Sequence, residues 1–412
     1  MTRLLLLLPT TTYRAHDLLA AGRKLAVDIT VASDRRQALE PQTDGSTLTL
    51  DFADRASACR VVRREHERSP FAAVIGADDE TTVLASAVAA DLALPHNPVR
   101  AVERAGDKLR FRRALRSAGL AHPGFLALDS HRPDLEALET LGYPCVLKPT
   151  FLSASRGVIR VDDREQARTA LARIAAILAE PAVRRRGGKR AGVILAERYL
   201  PGGELSVEAI LRDGALHPLV LFDKPDPLEG PFFEETIFVS PSSLGPAAQQ
   251  AVIEGVRDAI AAIGLREGPV HAEVRLTPGG PVVLEVAPRA IGGLCSRALA
   301  FGAGISLEEV LLRHALGESI EAFLPQRSAT GVMMIPIPGA GRLGAVRGLG
   351  RARECDAVVE VTLTMHRGDE LVPLPEGNRY LGFIFARAEQ PQDVEAALRR
   401  AHACIEIDVE RR

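Results

Sequence analysis

Cysteine pairs are missing from this chain of 412 residues: Cys59, Cys145, Cys295, Cys355 and Cys404 lie scattered, with no CxxC or HxxxH spacing. That excludes a zinc site of the usual spacing and any disulfide framework, so a cytoplasmic location is the expectation. Long apolar runs are missing too. "LLLLL" at Leu4–Leu8 is far below the roughly 20 residues of a membrane helix, and it has neither the charged flank nor the cleavage site of a secretory leader. It reads as a buried parallel strand, and no membrane partner is expected. Charge of one sign does not dominate: 51 basic against 53 acidic residues give a net charge of −2, which offers nothing to nucleic acid. The Thr-rich loop after the first strand lacks GxGxxG and any GK[ST], and no Ser–His or Cys–His arrangement is evident. Lysine is scarce, at five residues against 46 arginines. Arginine-favouring codon usage accounts for the bias. The lysines that persist (Lys24, Lys108, Lys148, Lys189 and Lys224) are candidates for places that need a compact ammonium.

What is present is 46% hydrophobic and 25% charged, the balance of a globular protein of several domains. Residues 1 to about 100 alternate strand and helix: "RLLLLLP", "AHDLLAAGRKL", "DITVASD", "AAVIGAD", and then "DETTVLASAVAADLAL" with Asp78 as its N-cap. This alternation predicts a parallel sheet covered on both faces. From residue 101 the texture changes. "DKLRFRRALRSAGL" reads as an amphipathic helix, "YPCVLKPT", "GVIRVDD" and "VILAERYL" as strands, and "REQARTALARIAAILAE" as a helix. "RRRGGKRAG" reads as a solvated mobile linker, with phosphate binding as the alternative. Residues 319–412 carry strands "AVVEVTL" and "YLGFIFAR" and the helix "QDVEAALRRAHACI", the pattern of a small α+β lid.

Chemistry concentrates at "HAEVRLTPGGPVVLEVAPRAIGG", residues 271–293. Alternation puts His271, Glu273 and Arg275 on one face of a first strand, and Glu285, Ala287 and Arg289 on one face of a second. Two carboxylates facing a cleft suit Mg²⁺, which keeps some waters and takes substrate phosphates. A surface hairpin with two solvated glutamates is the bland alternative. Upstream, Lys148 ends an apolar strand, and "LSASRGV" can lie over a phosphate chain with backbone N–H groups and serine hydroxyls as donors. Lys108 opens a helix, and Glu197 and Glu204 flank a Pro-Gly-Gly turn.

Lys108, Lys148, the loop 152–157, Glu197 with Glu204, and Glu273 with Glu285 and Arg289 follow the order and spacing of the ATP-grasp superfamily. Within it the chain most resembles the L-amino-acid ligases, carboxylate–amine ligases that join two amino acids into a dipeptide. The narrower likeness rests on "KPTFLSASRGVIRV", "FDKPDPLEGPFFEETIFVSPS" and "RYLGFIFARAEQPQDVEAAL". The resemblance implies an α/β (α+β multi-domain) fold: a Rossmann-like domain over residues 1–100, an ATP-grasp domain over 101–318 with a lid at about 122–200, and a C-terminal α+β domain over 319–412. It implies ATP and Mg²⁺ (or Mn²⁺) as cofactors, small acid and amine substrates, and a homodimer.

The site roles are likewise implied. Lys108 and Lys148 would neutralise phosphates under a loop bearing Ser153, Ser155 and Gly157. Glu197 would meet the adenine amino group, the backbone of Tyr199 and Leu200 the ring edge, and Glu204 the ribose. Glu273 and Glu285 would hold the metal. Arg289 would stabilise the transferring phosphoryl group, with Lys148 and Lys224 as further phosphate contacts. An asparagine usually stands two residues after the second glutamate; here that position is Ala287. On the substrate side, Arg297 with Arg289 are candidates for an anionic group, Glu234 or Glu235 for an ammonium, and Phe232, Phe233 and Gly293 for a side-chain pocket. A core or second-layer role is expected of His271. A purine-pathway or biotin-carboxylase-like ligase and a non-catalytic ATP-binding module are the competing functions.

Overall fold

The computed structural model describes residues 2–10, 12, 14–35, 47–302, 304–319, 323 and 328–410. The leucine run forms strand β1 (Arg3–Leu7) at the centre of a parallel sheet with β2 (Asp28–Ser33), β3 (Thr47–Thr49) and β4 (Ala73–Gly76), in the order β3-β2-β1-β4. Because side chains alternate along a strand, Leu4, Leu6 and Leu8 pack against α1 (Ala15–Lys24). Leu5 and Leu7 pack on the other face against α2 (Arg55–Arg68) and α3 (Thr82–Asp91). All five are 0% exposed, and such burial stabilises by roughly 1.5–3 kcal/mol per side chain. Helix α3 starts at Thr82 rather than at an Asp78 cap, which leaves Asp78 and Asp79 in the turn after β4.

Helices α4 (Val99–Ala105) and α5 (Lys108–Ser117) lead out of this domain. Asp107 caps α5, its carboxylate accepting from the Arg110 amide at 3.0 Å. The lid is an antiparallel sheet, β5-β8-β6-β7, of β5 (Phe125–Asp129), β6 (Cys145–Pro149), β7 (Ile159–Val161) and β8 (Val193–Arg198). It is covered by α6 (Leu135–Leu141) and by α7 (Arg164–Ala179), whose Ala167, Leu171, Ile174 and Leu178 recur at helical spacing and are buried. The basic segment expected to be a linker is folded instead, as α8 (Pro181–Gly187) and a 3-10 turn over Gly188–Gly192. Its charges have partners there: Arg186 pairs with Glu80, and Arg190 lies over the Phe151 ring.

The third unit is an eight-stranded sheet. It contains β9 (Gly203–Arg212), β10 (Ala215–Lys224) and β11 (Ile237–Ser240), then β12 (Gly268–Thr277) and β13 (Gly280–Ala287) after helix α9 (Pro246–Ile263). The strand order is β13-β12-β9-β10-β11, and the sheet does not stop there: β11 pairs with Ala329–Ile335, which pairs with Gly382–Ala388, which pairs with Val358–Leu363. The expected boundary at residue 318 therefore runs through the middle of a sheet. The C-terminal region adds three strands to this sheet and packs the helix Pro391–Ala403 on them, burying Val394, Ala397, Leu398 and Ala401.

Candidate active site

A cavity of about 830 Å³ lies where the three units meet, lined by residues from all of them. The hairpin is as the alternation predicts. Glu273 and Glu285 stand directly opposite each other in the register of β12 and β13, and His271, Glu273, Arg275, Glu285 and Arg289 all line the cavity. A β-bulge after Glu273 keeps the two acids facing the cleft. Ala287 is opposite His271 and 3% exposed.

Two clusters of charge face each other here. In the first, Lys148 at the end of β6 meets Glu197 of β8 at 2.5 Å. Arg112, one helical turn after Lys108 on α5 and fully buried, reaches the same carboxylate at 2.5 Å. Its other nitrogens donate to the carbonyls of Val283 and Leu284, which ties the lid strand to the metal hairpin. Burial lowers the pKa of Lys148, and the nearby Arg112 and Lys108 add to this; Glu197 opposes it. Lys108 sits close by, its Nζ 2.7 Å from the Leu152 carbonyl and 2.9 Å from Glu285. Above them Ser153, Ala154 and Ser155 line the cavity, with Ala154 and Ser155 in the left-handed region (φ 53° and 54°). Gly157 closes the loop at φ 73°, where a Cβ would stand 2.9 Å from the Pro149 ring.

In the second cluster Lys224 is 97% shielded at its side chain and surrounded by acids: Glu204 at 2.7 Å, Glu235, and Glu273 at 3.6 Å. Burial pulls the Lys224 ammonium down, but the three carboxylates outweigh it and hold its pKa well above the usual value. Glu235 is pushed up to about 7 by burial and by Glu273 and Glu204, against the pull of Lys224. Oxygens of Glu204, Glu235 and Glu273 lie within 4.8 Å of one another, a hard-oxygen set that fits a divalent cation. The fit has a second sign: ammonium groups rest on the predicted ligands, Lys108 on Glu285 and Lys224 on Glu273, where a metal would sit.

The other candidates stand in varied surroundings. Glu197, placed by the resemblance at the adenine amino group, lines the cavity while its two oxygens meet Arg112 and Lys148. Glu204 lines the cavity, and Lys224 and Arg275 (2.9 Å) hold its two oxygens from the neighbouring strands. The Tyr199 N–H donates to Pro144 O, so it is not a donor for a ring; Tyr199 and Leu200 still line the cavity. Arg297 lies away from the cavity, gripped by Asp17 at 2.8 and 3.0 Å and by Glu360 at 2.9 Å. Phe233 lines the pocket with Val146 and Leu228, whereas Phe232 packs on the lid core beneath Arg173. Glu235 and Gly293 are at the cavity wall; Glu234 is not.

The structure adds residues that the sequence reading passed over. Asp79, in the turn after β4, grips Arg289 at 2.8 and 2.9 Å, and Asp79 is held down to about 2: burial raises it, but Arg289 prevails. Arg186 also lines the cleft, and Arg112 stands buried behind it on Glu197. Only Arg112 had a signal, its position one turn after Lys108 on the buried face of an amphipathic helix. His271 is buried behind the hairpin: its Nδ1 meets Glu208, its Nε2 is 3.6 Å from Glu273, and its pKa is pushed up to about 10, burial being outweighed by Glu208 and Glu273.

Three family models match in chain order: the ATP-grasp N-terminal domain over residues 19–96, the ATP-grasp domain over 141–298, and the L-amino acid ligase C-terminal domain 2 over 333–410. Alanine–anticapsin ligase of Bacillus subtilis (strain 168) is 30% identical over 207 residues, covering 47% of this chain and 43% of that protein. The chain spans about half the length of the curated relatives it matches. The crystal structure of L-amino acid ligase from Bacillus licheniformis superposes with a TM-score of 0.86 at 27% identity, covering 100% of this chain and 99% of that one. Carboxyaminoimidazole ribonucleotide synthase from Aspergillus clavatus complexed with ATP superposes with a TM-score of 0.74 over 98% of both chains. At 18% identity it shares the fold alone.

Proposed function

Since the chain belongs to the ATP-grasp superfamily and carries the C-terminal domain of L-amino acid ligases, we propose that it is an ATP-dependent carboxylate–amine ligase that joins L-amino acids into a dipeptide. The observation that carries this is the pairing of opposite charge surpluses in one cavity. Lys148 and Arg112 on Glu197, with Lys108 on Glu285, favour a triphosphate, and Glu204, Glu235 and Glu273 around Lys224 favour cations. The Lys108 and Lys148 ammoniums bind phosphate oxygens under the 153–157 loop, while Val146, Leu228 and Phe233 give the base an apolar slot. Glu273 and Glu285 would hold Mg²⁺, which supplies charge neutralisation on the phosphates.

A substrate carboxylate oxygen attacks the γ-phosphorus, the bond to the β,γ-bridging oxygen breaks, and ADP leaves with that electron pair. Arg289, aimed by Asp79, stabilises the charge that builds on the transferring group. The amine then attacks the carbonyl carbon of the acylphosphate and loses a proton, and phosphate departs. Water would destroy this intermediate, so the loop must cover it. Incubation with ATP, Mg²⁺ and pairs of amino acids, followed by phosphate release and product mass, tests the proposal. ADP formation with a product of the summed mass minus water is expected; turnover with bicarbonate alone, or none with any pair, would overturn it.

A further inference from the structure

Alternation along β9 turns Glu204, Ser206 and Glu208 to one face of the strand. In the register with β12 they stand opposite Arg275, Glu273 and His271, in that order. The three β12 residues and Glu204 line the cavity; Glu208 lies beneath its wall and is 1% exposed. A carboxylate buried so deeply is costly unless its oxygens find partners, and both do. Its Oε1 meets Nδ1 of His271, whose Nε2 is 3.6 Å from Glu273. Its Oε2 accepts the Ile291 N–H at 2.9 Å. Ile291 belongs to residues 289–293, which are neither helix nor strand, so no ladder fixes that amide. Arg289, Ile291, Gly292 and Gly293 of this segment all line the cavity. Glu273 has little other support: Ser206 stands opposite it, but the Ser206 hydroxyl is buried and makes no hydrogen bond. Lys224, 3.6 Å from Glu273, is shared with Glu204 and Glu235.

We propose that Glu208 is a positioning residue for both halves of the site. Through His271 it sets the metal ligand Glu273, and through the Ile291 N–H it sets the segment 289–293 that carries Arg289. The cation side and the substrate side are thus held in one register by a carboxylate that touches neither. The metal half needs only Glu273 as a ligand; the substrate half rests on the ligase reading above.

The test compares wild type, Glu208→Ala, His271→Ala and the double variant. Mn²⁺ affinity of the protein–ADP complex, read by electron paramagnetic resonance of the free ion, needs no turnover. Removing a group behind a metal ligand typically weakens metal binding by about 10–100-fold, so each single variant should lose at least about tenfold. The double variant should fall no more than about twofold below either single one, because both changes cut the same chain of contacts. The KM for the acid substrate should rise about fivefold in Glu208→Ala, as expected for one lost hydrogen bond. In His271→Ala, which leaves Ile291 on Glu208, it should stay within about twofold. If thermal melting shows that Glu208→Ala does not fold, Glu208→Gln decides. Its amide has a single acceptor oxygen and can serve only one of the two partners, so one of the two effects must appear. Wild-type Mn²⁺ affinity in Glu208→Ala, or neither effect in Glu208→Gln, would make Glu208 a structural group and overturn the proposal. Losses that add in the double variant would do the same, and an unmoved KM in Glu208→Ala would overturn the coupling to the substrate side. Absence of ADP with every amino-acid pair would overturn the ligase reading instead, with Mn²⁺ binding still deciding the metal half.

Discussion

Lys148 lines the cavity and Lys224 lies behind its wall, beneath Glu204, Glu235 and Glu273; both are buried at the ends of strands, yet their surroundings are opposite. Lys148 shares one carboxylate, Glu197, with a second buried cation, Arg112. Lys224 faces three carboxylates, with Arg275 on the far side of Glu204 and His271 3.6 Å from Glu273. Burial lowers the pKa of the first ammonium, and acids raise that of the second. The difference teaches what each end of the cavity is short of: an anion beside Lys148, cations beside Lys224. A nucleotide triphosphate with a divalent ion supplies both, which is why the two clusters can share one chamber without neutralising each other.

The largest effect should come from the first end. Lys148→Ala removes a phosphate contact made in a closed site, and turnover should fall by about 10²–10³-fold. Thermal stability should change little, because Glu197 keeps Arg112; steady-state kinetics beside a melting curve measures both. Activity within threefold of wild type would mean that the phosphates lie elsewhere. The mirror experiment, Lys224→Met, should act on stability first. Three acids would be left around an empty position, a loss of about 3–5 kcal/mol by denaturant unfolding. Millimolar Mg²⁺ should recover more stability in this variant than in wild type, because a bound ion stabilises only the folded state. Equal stabilisation of both proteins would break the comparison.

Asp79 tests whether the N-terminal domain truly takes part. Held down to about 2 by Arg289, it contributes about 2 kcal/mol that is fully present above the ordinary carboxylate value of 3.8 and is lost as pH falls through 2. Asp79→Asn should therefore be less stable than wild type at pH 7, with the gap closing between pH 4 and pH 2 in urea titrations. Its kcat should fall by about tenfold while the KM for ATP moves little, since a freed Arg289 is misaimed rather than lost. A gap that does not depend on pH would assign the effect to packing.

These cases also mark what could be read from residues alone. Strand alternation is local, so "HAEVRLT" and "PVVLEVA" were legible as the strands that carry Glu273 and Glu285; the β-bulge after Glu273, which sets Glu285 rather than Leu284 opposite it, was not. The buried leucine strand and the helices α5, α7 and α9 were legible for the same reason. What was hidden is long-range. Glu197 and Glu204 were matched to nucleotide contacts by position, but the cations that hold them come from other elements, Arg112 from a helix 85 residues away in the chain and Arg275 from a neighbouring strand. Asp79 lies 210 residues from Arg289, and nothing near it in the chain marks it out. Nor does composition reveal that β11 hands the sheet on to Ala329–Ile335, since every strand involved is apolar enough to be central or terminal.

The smallest effect is expected where the lid meets the C-terminal region, and it asks whether the anion-seeking end is tied down from outside. Beyond the serine loop, the Gly157 amide donates to Pro375 O at 2.8 Å, and Arg156 donates to the Glu376 carbonyl at 2.7 Å. The Glu376 carboxylate grips Arg173 of α7 with two bonds of 2.8 Å. Both partners of that grip are about two-fifths exposed, so water screens it and its worth is about 0.2–1 kcal/mol. Glu376→Ala should thus lower the melting temperature by only a degree or two. If the backbone bonds alone hold the loop over the phosphates, the KM for ATP will stay within about twofold. If the carboxylate sets how far the loop closes, KM will rise about fivefold at unchanged kcat, a shift of about 1 kcal/mol that matches what one exposed bidentate pair can supply.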